Sequence, residues 1–331
     1  MSLTVSTPLV INDIDDYLGP GTSRFFGSGY RGTNPQLRRI AVRHDGPGPS
    51  RLDARGSISV GGLWSIKGTE AQQPHLGTTD AIVLALECTQ ALLASRYSPG
   101  FLPNSYVKHL TIAAGNAPIE ETLDDFPVSA ETRGSVGGVI TVNVQLGSMK
   151  ASVGVHHRLG VPSRANLATE TIDALVGESC RRVYGEVYRS RQPGIRNITI
   201  ARERRDAQAT LSVARPATEP DEYVGLEADY QPGLSLVESF VSTLQLGQVL
   251  LYELDGLTRA DSNTLWMRKT AITAFGPPPG IRTDLPLNVQ LHRERILFLN
   301  GDRWRCADIV GRVGDHIEIS CTVAHQIPPA L

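Results

Sequence analysis

The sequence predicts an α+β chain in which one unit occurs twice, each copy a long buried helix accompanied by antiparallel strands. The first observation is internal similarity. Residues 73–93 recur in altered form at 231–251, where a constant shift of 158 places Gln73, Pro74, Leu76, Val83 and Leu86 on Gln231, Pro232, Leu234, Val241 and Leu244. The same shift matches Gln90, Leu92 and Leu93 with Gln248, Leu250 and Leu251, and upstream Arg38, Ile40 and Val42 with Arg196, Ile198 and Ile200. Such an offset implies two copies of one supersecondary unit, and so a site built between them. The second observation is a pair of segments at about 77–95 and 235–255 that are apolar nearly all round. Helices of that kind are buried on every side, and their Leu, Ala and straight-chain residues favour helix over strand. The third is the alternation of apolar and polar residues in the runs that follow each helix, the mark of half-buried strands.

Taken in order, each copy opens with β-rich sequence, at 38–44 and 52–66 in the first and 196–213 in the second. A Pro-bearing turn leads into the helix. The strand at 107–114 answers to 267–274 in the second copy. Strands at 138–146 and 149–159 correspond to 285–299, 304–313 and 317–327. Here a shift of 168 lays Met149, Ala151, Val153, Val155 and His157 on Ile317, Ile319, Cys321, Val323 and His325. Gly147-Ser148 and Gly314-Asp315 read as hairpin turns. The acidic run 120–125 and the Pro-rich run 276–280 are loops at equivalent points. The expected organisation is an N-terminal arm at 1–37, one unit at 38–162, a connecting helical segment at 163–195 (helical over 167–188) and a second unit at 196–331.

At 331 residues the chain suits two units of about 150 residues better than one core. A formal charge of −2 gives no overall pull toward nucleic acid or anionic membrane. No run approaches the roughly 20 apolar residues of a membrane span, and the N-terminus lacks a signal-peptide layout. Cys88, Cys180, Cys306 and Cys321 are scattered without a CxxC pair, and neither they nor His156, His157 and His325 have metal-ligand spacing. A reduced, cytoplasmic protein with no metal and no cofactor is expected, as monomer (a pseudo-dimer) or homodimer.

Polar residues interrupt the two helices at matching places: Asp80, Glu87 and Gln90 in the first, Glu238, Gln245 and Gln248 in the second. Seven residues is nearly two turns, so Asp80 and Glu87 share a face with Gln90 beside it. Carboxylates in an apolar helix are costly unless paired. One reading ties the helix to its neighbours through these groups; the other lines the mouth of a pocket between the copies. Asp80 and Glu238 fall in the first turn, where free N–H groups and the positive dipole end gather. A carbonyl placed at Leu76–Gly77 or Leu234–Ser235 would find donors there as charge develops during attack.

Pro232-Gly233-Leu234-Ser235-Leu236-Val237-Glu238 resembles the Pro-Gly-x-x-x-x-Glu that opens the central helix of hot-dog-fold β-hydroxyacyl-thioester dehydratases, and the stretch from Pro74 to Asp80 resembles its Asp variant with His75 in place of Gly. The resemblance implies a double hot-dog: two long buried helices, each wrapped by a curved antiparallel sheet, with the acid of one copy working beside groups of the other. Those dehydratases carry a His about fourteen residues before the acid; here Ile66 and Val224 stand there, which argues against dehydration. The layout is similar to the double hot-dog A-factor synthases. Asp15-Asp16-Tyr17-Leu18-Gly19-Pro20, followed by Arg24-Phe25-Phe26-Gly27-Ser28-Gly29-Tyr30, resembles the opening of the AvrD (avirulence D) family.

That resemblance implies secondary-metabolite biosynthesis of the syringolide kind. The transferase would join a β-ketoacyl group, carried on acyl carrier protein or CoA, to a sugar or polyol acceptor. The alternatives are a non-catalytic acyl- or lactone-binding protein and a hot-dog hydratase or dehydratase. Asp80, Glu238 and His75 are the catalytic candidates. Gly77, Glu87, Gln90, Gln245, Gln248, Gly233, Lys108 and Arg268 are the candidates for binding substrate. His75 could equally be a loop histidine bonded to backbone, and strand alternation lets only one of Lys108/His109 and one of Arg268/Lys269 reach a pocket. Phe25–Arg31, neither a phosphate loop nor a Rossmann fingerprint, reads as an aromatic-anchored arm over one pocket, Arg202–Arg205 as a solvated charge run, and Trp64, Trp266 and Trp304 as core or pocket wall. The first copy holds His75, Asp80 and Glu87, against Glu238 alone in the second. Its site is therefore expected to carry the chemistry, with the second copy as scaffold or acyl-tail tunnel.

Overall fold

The computed structural model describes residues 7–328 apart from positions 47, 63, 98, 118, 158–165, 263 and 300. The chain opens with β1 (Leu9–Asp13) and the one-turn helix α1 (Ile14–Leu18), then β2 (Thr33–His44) and β3 (Ser50–Val60). A small hairpin, β4 (Ile66–Lys67) and β5 (Glu70–Ala71), leads to the long helix α2 (Thr78–Arg96). β6 (Tyr106–Ala113), β7 (Phe126–Val136), β8 (Val139–Leu146) and β9 (Met149–His156) follow. The second half has β10 (Leu167–Thr171), the short α3 (Asp173–Val176) and α4 (Tyr188–Ser190), β11 (Gln192–Ala201) and β12 (Asp206–Ala214). Then come the long α5 (Leu236–Asp255), β13 (Trp266–Ala274), β14 (Leu285–Leu299), β15 (Asp302–Val313) and β16 (Ile317–Ile327).

Fourteen strands form one antiparallel sheet in the order β1-β11-β12-β14-β15-β16-β13-β6-β9-β8-β7-β3-β2-β10. Read from its two edges inward, the order of corresponding elements is the same. The halves join where β13 pairs with β6, Ala271 opposite Thr111. Helix α2 touches β2, β3, β6, β7, β8 and β9. Six strands span about 24 Å and a helix is about 10 Å across, so the sheet must curl around it to make all six contacts. Residues 78–93 of α2 are buried without exception, as are all but Gln248 in the stretch 236–252 of α5. This is the burial that their all-round apolarity requires.

The 158-residue offset extends further upstream than the arm and connector expected from sequence. Leu9 pairs with Ile200 and Asp13 with Arg196, while Leu167 pairs with Val42 and Thr171 with Arg38. Each number in the first set is 158 from its counterpart in the second. Each half thus lends an edge strand to the other. Both central bulges obey the offset too: left-handed Arg39 (φ 52) breaks the β2–β3 register where Asn197 (φ 53) breaks β11–β12.

The connector is a correction to the sequence reading. Residues 163–165 lie outside the described residues, and 167–188 is not one helix but β10, α3, a 3-10 turn and a π-turn. The reasons are local. Thr169 and Thr171 favour strand, and Gly177 takes a left-handed φ of 103 that ends α3. At Gly185 a Cβ would stand 2.4 Å from the carbonyl of Ser179, as one at Gly27 would stand 2.4 Å from that of Gly21. Among the described residues no helix is long and apolar enough to cross a membrane. Cys88 and Cys321 are fully buried; burial pushes both thiols up, that of Cys321 to about 12.

Candidate functional site

A cavity of about 340 Å³ opens where the start of α2 meets the second half of the chain. His75, Leu76, Gly77 and Thr78 line it from the first half, and Gln248 of α5, Arg259 and Trp266–Arg268 from the second. Arg24, Phe25 and Phe26 of the N-terminal arm complete the wall with Trp64, Ser65 and Lys67. The aromatic residues are packed together, Phe25 with its ring centroid 4.3 Å from that of Trp64. His75 sits between Trp64 at 5.4 Å and Trp266 at 5.7 Å.

The His75 ring is fixed as to tautomer. Its Nδ1 stands 3.3 Å from the carbonyl of Gln73, which can only accept, so Nδ1 carries the hydrogen and Nε2 the lone pair. Burial lowers the pKa of this histidine against the opposing influences of the Gln73 carbonyl and Glu120. The imidazole is therefore neutral at pH 7, with the protonation state of a base.

Asp80 does not line the cavity. It is fully buried one step behind the wall, its Oδ2 accepting the Gly77 N–H at 3.1 Å. Its Oδ1 is 2.8 Å from Thr33 Oγ1, which is also 2.8 Å from the Tyr30 carbonyl. Thr33 has one proton for two acceptors. A protonated Asp80 resolves the shortage by donating to Thr33 while Thr33 donates to Tyr30. Desolvation raises the Asp80 pKa from 3.8 to about 6 despite these hydrogen bonds. Asp80 thus fixes the loop that carries His75 and Gly77 at the helix start.

Of the other sequence candidates, Gly77, Gln248 and Arg268 line the cavity with His75, while Glu87, Gln90, Gln245, Gly233, Lys108 and Glu238 do not. Glu238 closes a capping box, accepting the Ser235 N–H at 2.7 Å while Ser235 Oγ accepts its own N–H at 3.2 Å. Arg191 lies 3.6 Å from its other oxygen. Burial raises its pKa and Arg191 lowers it. Lys108 is half-buried on β6.

The place that corresponds to this cavity by the 158-residue offset is occupied differently. Arg182, offset 158 from Arg24, is buried and donates to both oxygens of Glu87, at 3.3 and 3.1 Å, and to Asp173 at 2.8 Å. Gln90 donates to Glu87 at 3.1 Å and accepts the Leu226 N–H at 3.0 Å. Glu227 drives its carboxylate into the same region, accepting from Val107 N–H at 2.9 Å and Tyr184 O–H at 2.8 Å. The residues corresponding to Tyr184 and Val107 are Phe26 and Met267, and both line the open cavity. One place is filled by the chain's own ion pair and Glu227. At the other, Gln245 stands for Glu87; among the described residues its Oε1 is buried without a partner, as are Nε and Nη1 of Arg24.

Arg24, Lys67, Arg259 and Thr78 escaped the sequence reading. For Arg24 a signal existed: Arg24-Phe-Phe-Gly-x-x-Tyr30-Arg31 and Arg182-Val-Tyr-Gly-x-x-Tyr188-Arg189 are 158 apart. Lys67 and Arg259 sit in loops or hairpins with no periodicity to mark them.

The family model described as Pseudomonas avirulence D protein (AvrD) matches residues 10–328. No curated protein matches the chain. Among solved structures, the dehydratase domain of RzxB from Pseudomonas fluorescens is 14% identical, with 87% of this chain and 97% of that chain covered and a TM-score of 0.41. A conserved protein of unknown function with a hot-dog fold from Alicyclobacillus acidocaldarius is 9% identical (88% and 97% covered, TM-score 0.39). The acyl-CoA thioesterase II TesB2 from Mycobacterium marinum is 11% identical (87% and 96% covered, TM-score 0.39). Likeness at this level is too loose to carry a functional argument.

Proposed function

This chain belongs to the AvrD family, and from that premise and the chemistry of the cavity we propose that it is a biosynthetic acyltransferase with one working site, at the start of α2. In this reading the chain is a double hot-dog, two copies of one unit, and the second copy serves as scaffold. A β-ketoacyl thioester, on acyl carrier protein or CoA, presents its carbonyl at the Gly77–Thr78 end of the helix. His75 Nε2 takes the proton of an acceptor hydroxyl as the oxygen attacks that carbonyl. The helix N-terminus faces the oxyanion of the tetrahedral intermediate. Collapse breaks the C–S bond, and the departing thiolate takes the proton back from His75, leaving an ester and a free thiol. Asp80 acts through the loop it holds, as a positioning residue.

The observation that carries this reading is the neutral, tautomer-fixed His75 in a cavity shared by the two halves, beside a helix start. Purified protein incubated with a β-ketoacyl pantetheine thioester and a pentulose tests it. Free thiol and acyl-sugar in equal amounts are expected. Thiol with free β-keto acid alone would make the protein a hydrolase, and neither product would leave a binding protein.

A further inference from the structure

The cavity lining includes Arg24, Lys67, Arg259 and Arg268, and among the described residues none that lines it is Asp or Glu. Three of these cations are close together. Burial and the charge of Arg259 both work against charge on Arg24 and on Lys67. Arg259 itself donates to the Ser23 carbonyl at 3.0 Å and to Ser65 Oγ at 3.2 Å, contacts that bring no negative charge. Lys67 donates to Ser262 Oγ at 3.3 Å. Arg24 is 4% exposed, and its ion pair with Asp15, a half-exposed residue outside the cavity, uses Nη2 alone. Its Nε and Nη1 have no partner among the described residues.

Gathering like charges in a partly buried wall is costly unless an opposite charge completes it. At the counterpart place the chain supplies that charge itself, through Glu87 on Arg182. Here Gln245 stands where the acid would be. We propose that the cavity binds the phosphate group of a substrate on Arg24, Lys67 and Arg259. A monoester carries about −1.5 to −2 charge and three acceptor oxygens, which suits three cations better than a carboxylate does. The phosphate is the monoester of a phosphorylated polyol acceptor or the 4′-phosphate of the donor's pantetheine arm, which on acyl carrier protein or CoA is esterified at both ends and carries less charge. This deepens the acyltransferase reading and rests on it for the identity of the ligand, while the binding itself does not depend on turnover.

Calorimetric titration of the full chain with glycerol 3-phosphate, glycerate, glycerol, 4′-phosphopantetheine and pantetheine tests it. Each phosphate-bearing probe is compared with its uncharged or carboxylate counterpart. Tighter binding of glycerol 3-phosphate than of glycerol and glycerate assigns the site to the acceptor. Tighter binding of phosphopantetheine than of pantetheine, alone, assigns it to the donor. In either case Arg24→Gln should weaken the favoured probe about ten- to hundredfold, the loss expected when a charge-assisted hydrogen bond is removed. Should Arg24→Gln fail to fold, as circular dichroism would report, Lys67→Gln and Arg259→Gln carry the same expectation. Phosphate-bearing probes that bind no tighter than their counterparts, or that bind the folded variants equally well, overturn the proposal. Binding that passes these tests in a protein that makes no ester leaves the anion site standing and removes the acyltransferase reading.

Discussion

Asp80→Asn offers a sharp test of how the loop carrying His75 is held. In the native chain the carboxyl must satisfy Gly77 N–H on one oxygen and meet the Thr33 hydroxyl on the other, and Thr33 has a second acceptor in the Tyr30 carbonyl. Asparagine reproduces the protonated acid: Oδ1 accepts from Gly77, Nδ2 donates to Thr33, and Thr33 donates to Tyr30. The fold is therefore expected to survive. The magnitude follows from the move of the Asp80 pKa from 3.8 to about 6 on burial. That displacement is worth at most about 3 kcal/mol. Because the folded pKa lies above the unfolded one, the favourable contribution is fully present below about pH 4 and is lost as pH rises through about 6. At pH 8 the native chain bears the whole cost of a buried carboxylate and the variant bears none. Urea denaturation should find Asp80→Asn more stable than the native chain at pH 8, by up to roughly 3 kcal/mol, with the gap closing toward pH 4. A variant less stable at pH 8 would mean that the ionised carboxylate is held favourably there, and the proton accounting around Thr33 would be wrong.

His75→Gln should lower the rate of ester formation about 10²- to 10⁴-fold in the product assay, with the fold unchanged. Because burial lowers the His75 pKa, the native rate should rise with pH through a value below 6.5 and then level off; an apparent pKa above 7 on the acid limb would exclude this base. Glu87→Leu strips buried Arg182 of its principal partner while Asp173 remains, and should cost about 3 kcal/mol in urea denaturation without touching the cavity. Gln245→Glu should rebuild that ion pair on Arg24 and fill the open place from within, reducing product formation at least about tenfold; undiminished turnover would show that Gln245 and Arg24 do not meet as Glu87 and Arg182 do.

Much of the architecture was legible because it depends on periodicity. The helices expected near 77–95 and 235–255 span Thr78–Arg96 and Leu236–Asp255, and strands expected at 285–299 and 317–327 have those bounds. The connector was misread because Leu175, Val176 and Val183–Val187 look helical in isolation. Gly177 and the close approach at Gly185 break the run, and pairing with β2 claims 167–171 as strand. At the site, the helix entrance and His75 were visible as local sequence, and the aromatic arm over a pocket is where Phe25 and Phe26 stand. The polar strip was visible too, but its depth was not. A carboxylate three residues into a buried helix reads the same whether it faces a cavity or, like Asp80, caps the turn behind it. Arg24, Lys67 and Arg259 come from three separated segments, and only the fold brings them to one wall.

On the function proposed above, the chain has one working site, at the start of α2, and its counterpart is closed by Glu87, Arg182 and Glu227. Photoaffinity labelling with a diazirine-bearing β-ketoacyl pantetheine probe, read by intact-mass and peptide mass spectrometry, tests it directly. No more than one label per chain is expected, confined to peptides covering 24–26, 64–78 or 259–268 and competed away by the unlabelled thioester. Two labels per chain, or a competed label on 224–238 or 104–108, would contradict it.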